Sequence, residues 1–304
     1  MMQIFKNPNY KFIPNRYYGF AFSILLTIIT IVSIIAHGGL KYGVDFAGGT
    51  LLEIRFEQPI NTATLRSAFR NIAVGNVSIQ KFGEGYDFIV RFESQMATSA
   101  ESTSTQIIGL LNQEIPGNPA QLVRIEMVGP RIGKELQKNA ILAILIGMFL
   151  ILIYVSIRFD FRFGTAAVVA LIHDTLTTIG FISITNTEIS ITTIAALLTL
   201  IGYSVNNSIV ISDRVRENLR KMLKDSVPDI INISINQVLA RTILTAFTTF
   251  IVAFMLWLLG AASIKDFAKV ISFGIIIGTY SALFVGAPLV AEWEKRFPSR
   301  KRRK

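Results

Sequence analysis

The residues most able to do chemistry in this sequence lie where charge is expensive. His173 and Asp174 stand side by side in the middle of a long apolar stretch. A carboxylate at that depth of a membrane costs roughly 2.5–3.5 kcal/mol on insertion scales, so it needs a partner or a proton. A second stretch holds the polar run Tyr203, Ser204, Asn206, Asn207 and Ser208, with Asp213 just beyond it. Arg241 opens a third, followed by Thr245, Thr248 and Thr249. Asn207 precedes Asp213 by six positions, ~9 Å of helix. Arg241 enters from the same side, so Asn207, Arg241 and the threonine hydroxyls are expected to cluster at one depth. The competing readings are structural: Arg241 can snorkel to the interface, and Asn206 and Asn207 can hydrogen-bond between helices. Such groups move protons or hold helices. They do not form a nucleophile with a neighbouring base.

Other signals are weaker. Gly274 and Gly278 form a G-x-x-x-G, which suits close helix packing. The run Gly43-Val44-Asp45-Phe46-Ala47-Gly48-Gly49-Thr50 is glycine-rich but lacks the Lys-Ser/Thr ending of a phosphate-binding loop. There is no cysteine and no histidine cluster. No cofactor, no metal site and no enzymatic activity are therefore expected.

The elements that must position these groups are membrane helices. Of 304 residues, 51% are apolar and 16% charged, against about 25% charged in soluble domains. Six stretches are long enough to span ~30 Å of hydrocarbon: 17–36, 139–157, 164–184, 189–211, 239–260 and 267–290. The first follows Lys6, Lys11 and Arg16 as a signal peptide would. Its apolar run of about 20 residues exceeds the usual ~7–15, and no small-x-small cleavage site follows, so it reads as an uncleaved anchor.

Charge sets the orientation. Basic residues fill the N-terminal arm, the loop with Arg158 and Arg162, the loop with Arg214, Arg216, Arg220, Lys221 and Lys224, and the tail from Lys295, where seven of ten residues are Lys or Arg. Six spans put all four segments on one side. The positive-inside rule makes that side the cytoplasm, with both termini there. The net charge of +10 is thereby explained without nucleic acid, and the tail suits anionic lipid headgroups. The segment 213–238 reads as a connector, basic and then amphipathic. Ile231, Ile235 and Val238 at helical spacing would let it lie along the inner membrane surface; an ordinary solvated loop is the alternative.

Four regions result: 1–36, arm and first span; 37–138, an extracytoplasmic domain; 139–290, the other five spans; and 291–304, a basic tail. In the extracytoplasmic domain, strands are expected at 50–56, 77–82, 86–92 and 121–128, with helices at 62–72, capped by Asn61, and 102–112. Gly83-Glu84-Gly85 would make the turn between the middle strands. The order β-α-β-β-α-β is that of a ferredoxin-like α+β fold.

Several motifs together resemble the SecF branch of the SecD/SecF protein-export family. They are Gly43–Thr50 (GVDFAGGT), Val128-Gly129-Pro130, His173-Asp174, Gly202–Asn218 (GYSVNNSIVISDRVREN) and Arg241-Thr242, in order across nearly the whole chain. The resemblance implies a six-span RND-type membrane domain in a bacterial inner membrane. It implies pairing with SecD beside the SecYEG channel, and proton-motive-force-assisted translocation of a preprotein. Within it, Gly43, Asp45, Gly48 and Gly49 belong to the motif outside the first span. The family pattern reads GYSxND, with an intramembrane aspartate taken to join proton transfer; here that position is Asn207, and an amide does not exchange a proton at physiological pH. Asp174, the one carboxylate deep in a span, or a carboxylate on SecD would then carry the proton, and Arg241 would need another acceptor. Two other classes compete. An RND exporter of small molecules or lipids is expected to carry two large ectodomains and about twelve spans. A non-coupling scaffold is the reading to which Asn207 lends weight.

Overall fold

Alternation along β1 (Gly49–Phe56) turns Leu52, Ile54 and Phe56 to one face, and β3 (Asp87–Phe92) does the same with Phe88, Val90 and Phe92. These six meet Leu65 and Phe69 of α3 (Thr62–Asn71) and Ile107 and Leu111 of α4 (Ala100–Glu114) in one apolar core. With β2 (Val77–Phe82) and β4 (Ala120–Val128) the strands make an antiparallel sheet in the order β2-β3-β1-β4. That is the expected β-α-β-β-α-β fold. Asn61 caps α3 by accepting from the Ala63 amide at 3.0 Å.

A computed structural model of the chain describes residues 8–72, 77–82, 86–92 and 100–298. The expected turn at Gly83-Glu84-Gly85, Lys6 and the end of the basic tail lie outside the described residues. The chain divides into two compact units, Tyr42–Ala140 and the remainder.

In the smaller unit, α2 (Val44–Ala47) leads into β1 through Gly48 (φ 79°) and Gly49 (φ 123°), a left-handed turn that favours glycine. A Cβ on Gly48 would sit 3.0 Å from Pro130 Cα. A Cβ on Gly133 would sit tighter still, 2.7 Å from the Phe46 carbonyl oxygen, which also accepts from Gln137 Nε2 at 3.0 Å. The two motifs Gly43–Thr50 and Val128-Gly129-Pro130 are thus one packed joint. The glycines there serve backbone conformation and close approach.

The larger unit is helical. Among the described residues, six helices are long and apolar enough to cross a membrane. They are α1 (Arg16–Ala36), α5 (Pro130–Arg158), α6 (Phe161–Ile184), α7 (Ile191–Lys221), α8 (Val227–Leu259) and a composite sixth. The last runs as α9 (Ala262–Ser281), a π-helical turn (Ala282–Gly286) and α10 (Ala287–Arg296). Pro288 accounts for the π turn: it has no N–H to offer the Phe284 carbonyl, and its ring forces the preceding turn to widen. The sequence shows a multi-pass membrane protein, and the structure has the helices for it.

The expected connector 213–238 is not one. α7 continues to Lys221 and α8 begins at Val227, leaving only five residues between them. Ile231, Ile235 and Val238 do not lie on a membrane surface or in solvent. They are buried against Val215, Phe12, Ile13 and Val290. The amphipathic spacing was real, but its apolar face found protein. The N-terminal arm is held there too. Asn236 accepts from the Tyr10 amide at 2.7 Å and donates to the Tyr10 carbonyl at 2.9 Å, while Asn232 accepts from the Ile13 amide at 3.1 Å. Arg16 pairs with Glu292 at 2.9 Å, and Arg162 with Glu294, tying α1 and α6 to α10.

Candidate functional site: a buried carboxylate between three helices

The inward face of α6 begins with Ala166, Ala167 and Ala170 and continues into His173, Asp174, Thr177 and Thr178. Small residues let neighbours approach, and the polar ones then need partners. Asp174 finds three. Its Oδ2 accepts from Ser204 Oγ of α7 at 2.5 Å and from Ser281 Oγ of α9 at 2.8 Å; its Oδ1 lies 3.1 Å from His173 Nδ1. Asp174 is 1% exposed. Gly274 and Gly278 make this geometry possible. Cβ atoms there would fall 2.6 Å from Leu200 and 2.9 Å from Ser204. The G-x-x-x-G therefore seats one turn of α7 against α9.

The far nitrogen of His173, Nε2, is buried with no hydrogen-bond partner among the described residues. The His173 ring lies 6.0 Å from that of Tyr280, whose hydroxyl donates to the Gly19 carbonyl of α1 at 2.7 Å and meets Ser23 Oγ at 3.1 Å. The polar cluster thus reaches α1 as well.

The other expected residues separate. Asn207 is buried one turn beyond Ser204, and its Nδ2 has no partner among the described residues. Asn206 is exposed on another side of α7. Asp213 is exposed and lies 3.7 Å from Arg158 Nη2. Arg241, Thr245, Thr248 and Thr249 face outward from α8. The three threonine hydroxyls donate to carbonyls of their own helix. Arg241 has no side-chain hydrogen bond or ion pair among the described residues. The expected cluster of Asn207, Arg241 and these hydroxyls does not form within the chain, because the amide points in and the cation points out. Thr242 is the buried polar residue at that level of α8. Gly43, Asp45, Gly48 and Gly49 lie in the joint of the smaller unit described above.

Sequence reasoning missed Ser281, Tyr280 and the polar line Ser23, Thr30 and Ser33 on α1. The sign was present. In an otherwise apolar helix Ser23, Thr27, Thr30 and Ser33 recur three to four positions apart, at the spacing of one face. Among the described residues no group of acidic or histidine side chains could hold a metal ion.

Residues 110–296 match the family model described as protein export membrane protein SecD/SecF, C-terminal, and residues 33–60 match the SecD/SecF GG motif. The chain belongs to the SecD/SecF family. Its GG motif spans the glycine joint, and its C-terminal region spans Asp174, Ser204 and Ser281. The chain is 40% identical to the protein translocase subunit SecF of Gemmatimonas aurantiaca, covering 98% of this chain and 91% of that one. It is 37% identical to that of Rickettsia rickettsii, covering 95% and 93%. Among solved structures it resembles SecDF of Thermus thermophilus, a translocon-associated membrane protein, with a TM-score of 0.85 and 36% identity. That match covers 95% of this chain but only 39% of the SecDF chain. A super-membrane-facing form of SecDF matches with a TM-score of 0.71 at 36% identity, covering 97% and 40%.

Proposed function

We propose that this chain is the SecF-type subunit of the Sec translocase accessory complex, working with a SecD partner in the bacterial inner membrane. On this reading both termini are cytoplasmic, as the basic segments require. Its other partners are the SecYEG channel, the emerging preprotein, and anionic lipids at the basic end of the chain. Near full-length likeness to SecF subunits supports the identity. A single small soluble unit tells against a drug- or lipid-exporting RND pump.

The observation that carries the mechanism is the three-way bonding of Asp174. As a carboxylate it only accepts, and it takes hydrogen bonds from α7 and α9 at once. Protonation turns one oxygen into a donor. A proton taken up on Oδ1, beside His173, removes the negative charge that strengthens the Ser204 and Ser281 bonds to Oδ2, so a proton on α6 loosens the ties to α7 and α9. Asn207 is neutral in either case and serves as part of the packed face. Arg241, directed outward, is placed to meet an acceptor on SecD. The scaffold reading is favoured by one observation, the neutral amide at 207.

The test is completion of export of a preprotein already threaded partway through SecYEG, in vesicles carrying SecD with or without this chain. The expected result is that a proton gradient accelerates completion only when the chain is present, and that Asn207→Asp leaves that response in place. Equal rates with and without the gradient would establish the scaffold. A response confined to Asn207→Asp would move the proton from Asp174 to position 207.

A further inference from the structure

α1 and α6 are packed in parallel and in register. Ser33 and Ser183 share a hydrogen bond of 2.8 Å across a separation of 150 residues. At the same offset Thr30 meets Gly180 so closely that a Cβ there would lie 2.0 Å from Thr30 Oγ1. Carried down the two helices, that offset sets Thr27 level with Thr177, and Ser23 level with His173. Ser23 is held there by Tyr280, whose ring lies against the histidine. The residues α1 buries are Gly19, Ser23, Thr30 and Ser33, while most of its isoleucines and leucines face out. Every pair along this seam except Thr30 with Gly180 brings hydroxyl or imidazole groups from both helices.

The seam has an open end and a closed one. At the open end, at the last turn of α1, His37 Nδ1 lies 2.8 Å from the Ser33 carbonyl. There a cavity of about 240 Å³ is bounded by His37, Lys41, Ser183, Asn186 and Thr187. Its charged surroundings are the Lys41–Glu188 ion pair at 3.0 Å and Lys269, which donates to Thr187 Oγ1 at 2.7 Å. At the closed end, about ten residues or ~15 Å lower, the Thr177 hydroxyl and His173 Nε2 are both buried without a partner among the described residues. Two unpaired polar atoms at the foot of a polar seam are costly unless something transient uses them.

We propose that the α1–α6 seam is the extracytoplasmic proton entry to Asp174. This rests on the reading of Asp174 as the proton carrier. Protons collect in the cavity beside His37, pass along the Ser33/Ser183, Thr30 and Thr27/Thr177 hydroxyls, and reach His173 Nε2. His173 takes the proton on Nε2 and gives its Nδ1 proton to Asp174 Oδ1. The imidazole ends neutral in the other tautomer, the carboxylate ends as the acid, and charge and protons balance. His173 is the final relay, and the seam hydroxyls hand the proton down to it.

The alternative for small hydroxyl residues is helix packing alone, and the experiment separates the two. Full-length chain paired with SecD is placed in right-side-out vesicles. The carbonyl stretch of the protonated carboxyl, identified by its loss in Asp174→Asn, is followed after acidification outside. In the doubly substituted T27V/T177V, which keeps shape and loses both hydroxyls, the band should reach the wild-type amplitude but rise about tenfold more slowly. T27S/T177S should restore the fast rise, and acidification inside should give the wild-type rate in both. A T27V/T177V rise as fast as wild type would overturn the seam while leaving Asp174 as carrier. Equal slowing in T27S/T177S would assign the residues to packing and overturn it as well. A wild-type chain with no Asp174 band at any pH would remove the carrier itself, and the entry with it.

Discussion

The two units of this chain bury opposite things. Inside the sheet-and-helix unit lie Phe56, Phe69, Phe88, Leu52 and Ile54, and its charged residues face out. In the membrane unit α1 turns Ile24, Leu25, Ile28 and Ile35 outward and encloses Ser23, Thr30 and Ser33, and α6 buries an aspartate. The solvent explains the difference. Water drives apolar surface inward, whereas lipid is as apolar as leucine, so helices associate through close small-residue packing and hydrogen bonds. A polar interior is therefore the normal glue of the membrane unit. What points to function is the Asp174 carboxylate held by three partners, with His173 Nε2 beside it unpaired among the described residues.

That contrast can be broken by substitutions whose cost depends on which interior they enter. The largest effect should come from Gly180→Leu, which drives a side chain into Thr30 where even a Cβ has no room. Loss of folded, detergent-extractable protein on size exclusion is expected, and a normal yield would mean the α1–α6 contact is looser than described. Phe69→Ala opens a cavity in the apolar core and should destabilise the soluble unit by about 3–5 kcal/mol, read by pulse proteolysis of the full-length chain. Asn61→Ala removes only a cap and should cost about 1 kcal/mol, visible as faster hydrogen exchange in the first turn of α3. Smallest is Ile28→Leu, a lipid-facing exchange that should leave thermal stability unchanged. A marked loss there would show that α1 presents this side to protein.

Heights in this fold were legible from sequence, and facing was not. Six spans, the soluble unit with its strand order, the Asn61 cap and the isolated depth of Asp174 all follow from periodicity, length and charge. Counting residues along a helix placed Asn207 and Arg241 at one level. It said nothing about azimuth, and each step around a helix is about 100°. Asn206 and Asn207 are neighbours, yet one is exposed and the other buried; the same holds for Arg241 and Thr242. The segment 213–238 failed for a related reason. Its charges marked it as leaving the membrane, but leaving the membrane does not end a helix when another helix is there to cover its apolar side. The three donors to Asp174 come from α6, α7 and α9, which no local pattern connects.

The central claim is that Asp174 couples this chain to the proton gradient. Its most direct test is gradient-driven completion of a half-threaded preprotein by vesicles carrying Asp174→Asn, with SecD co-purification as the check on assembly. The account predicts that SecD still co-purifies and that the gradient no longer accelerates completion. A response equal to that of the unsubstituted chain would contradict it and send the search for the proton carrier to the partner subunit.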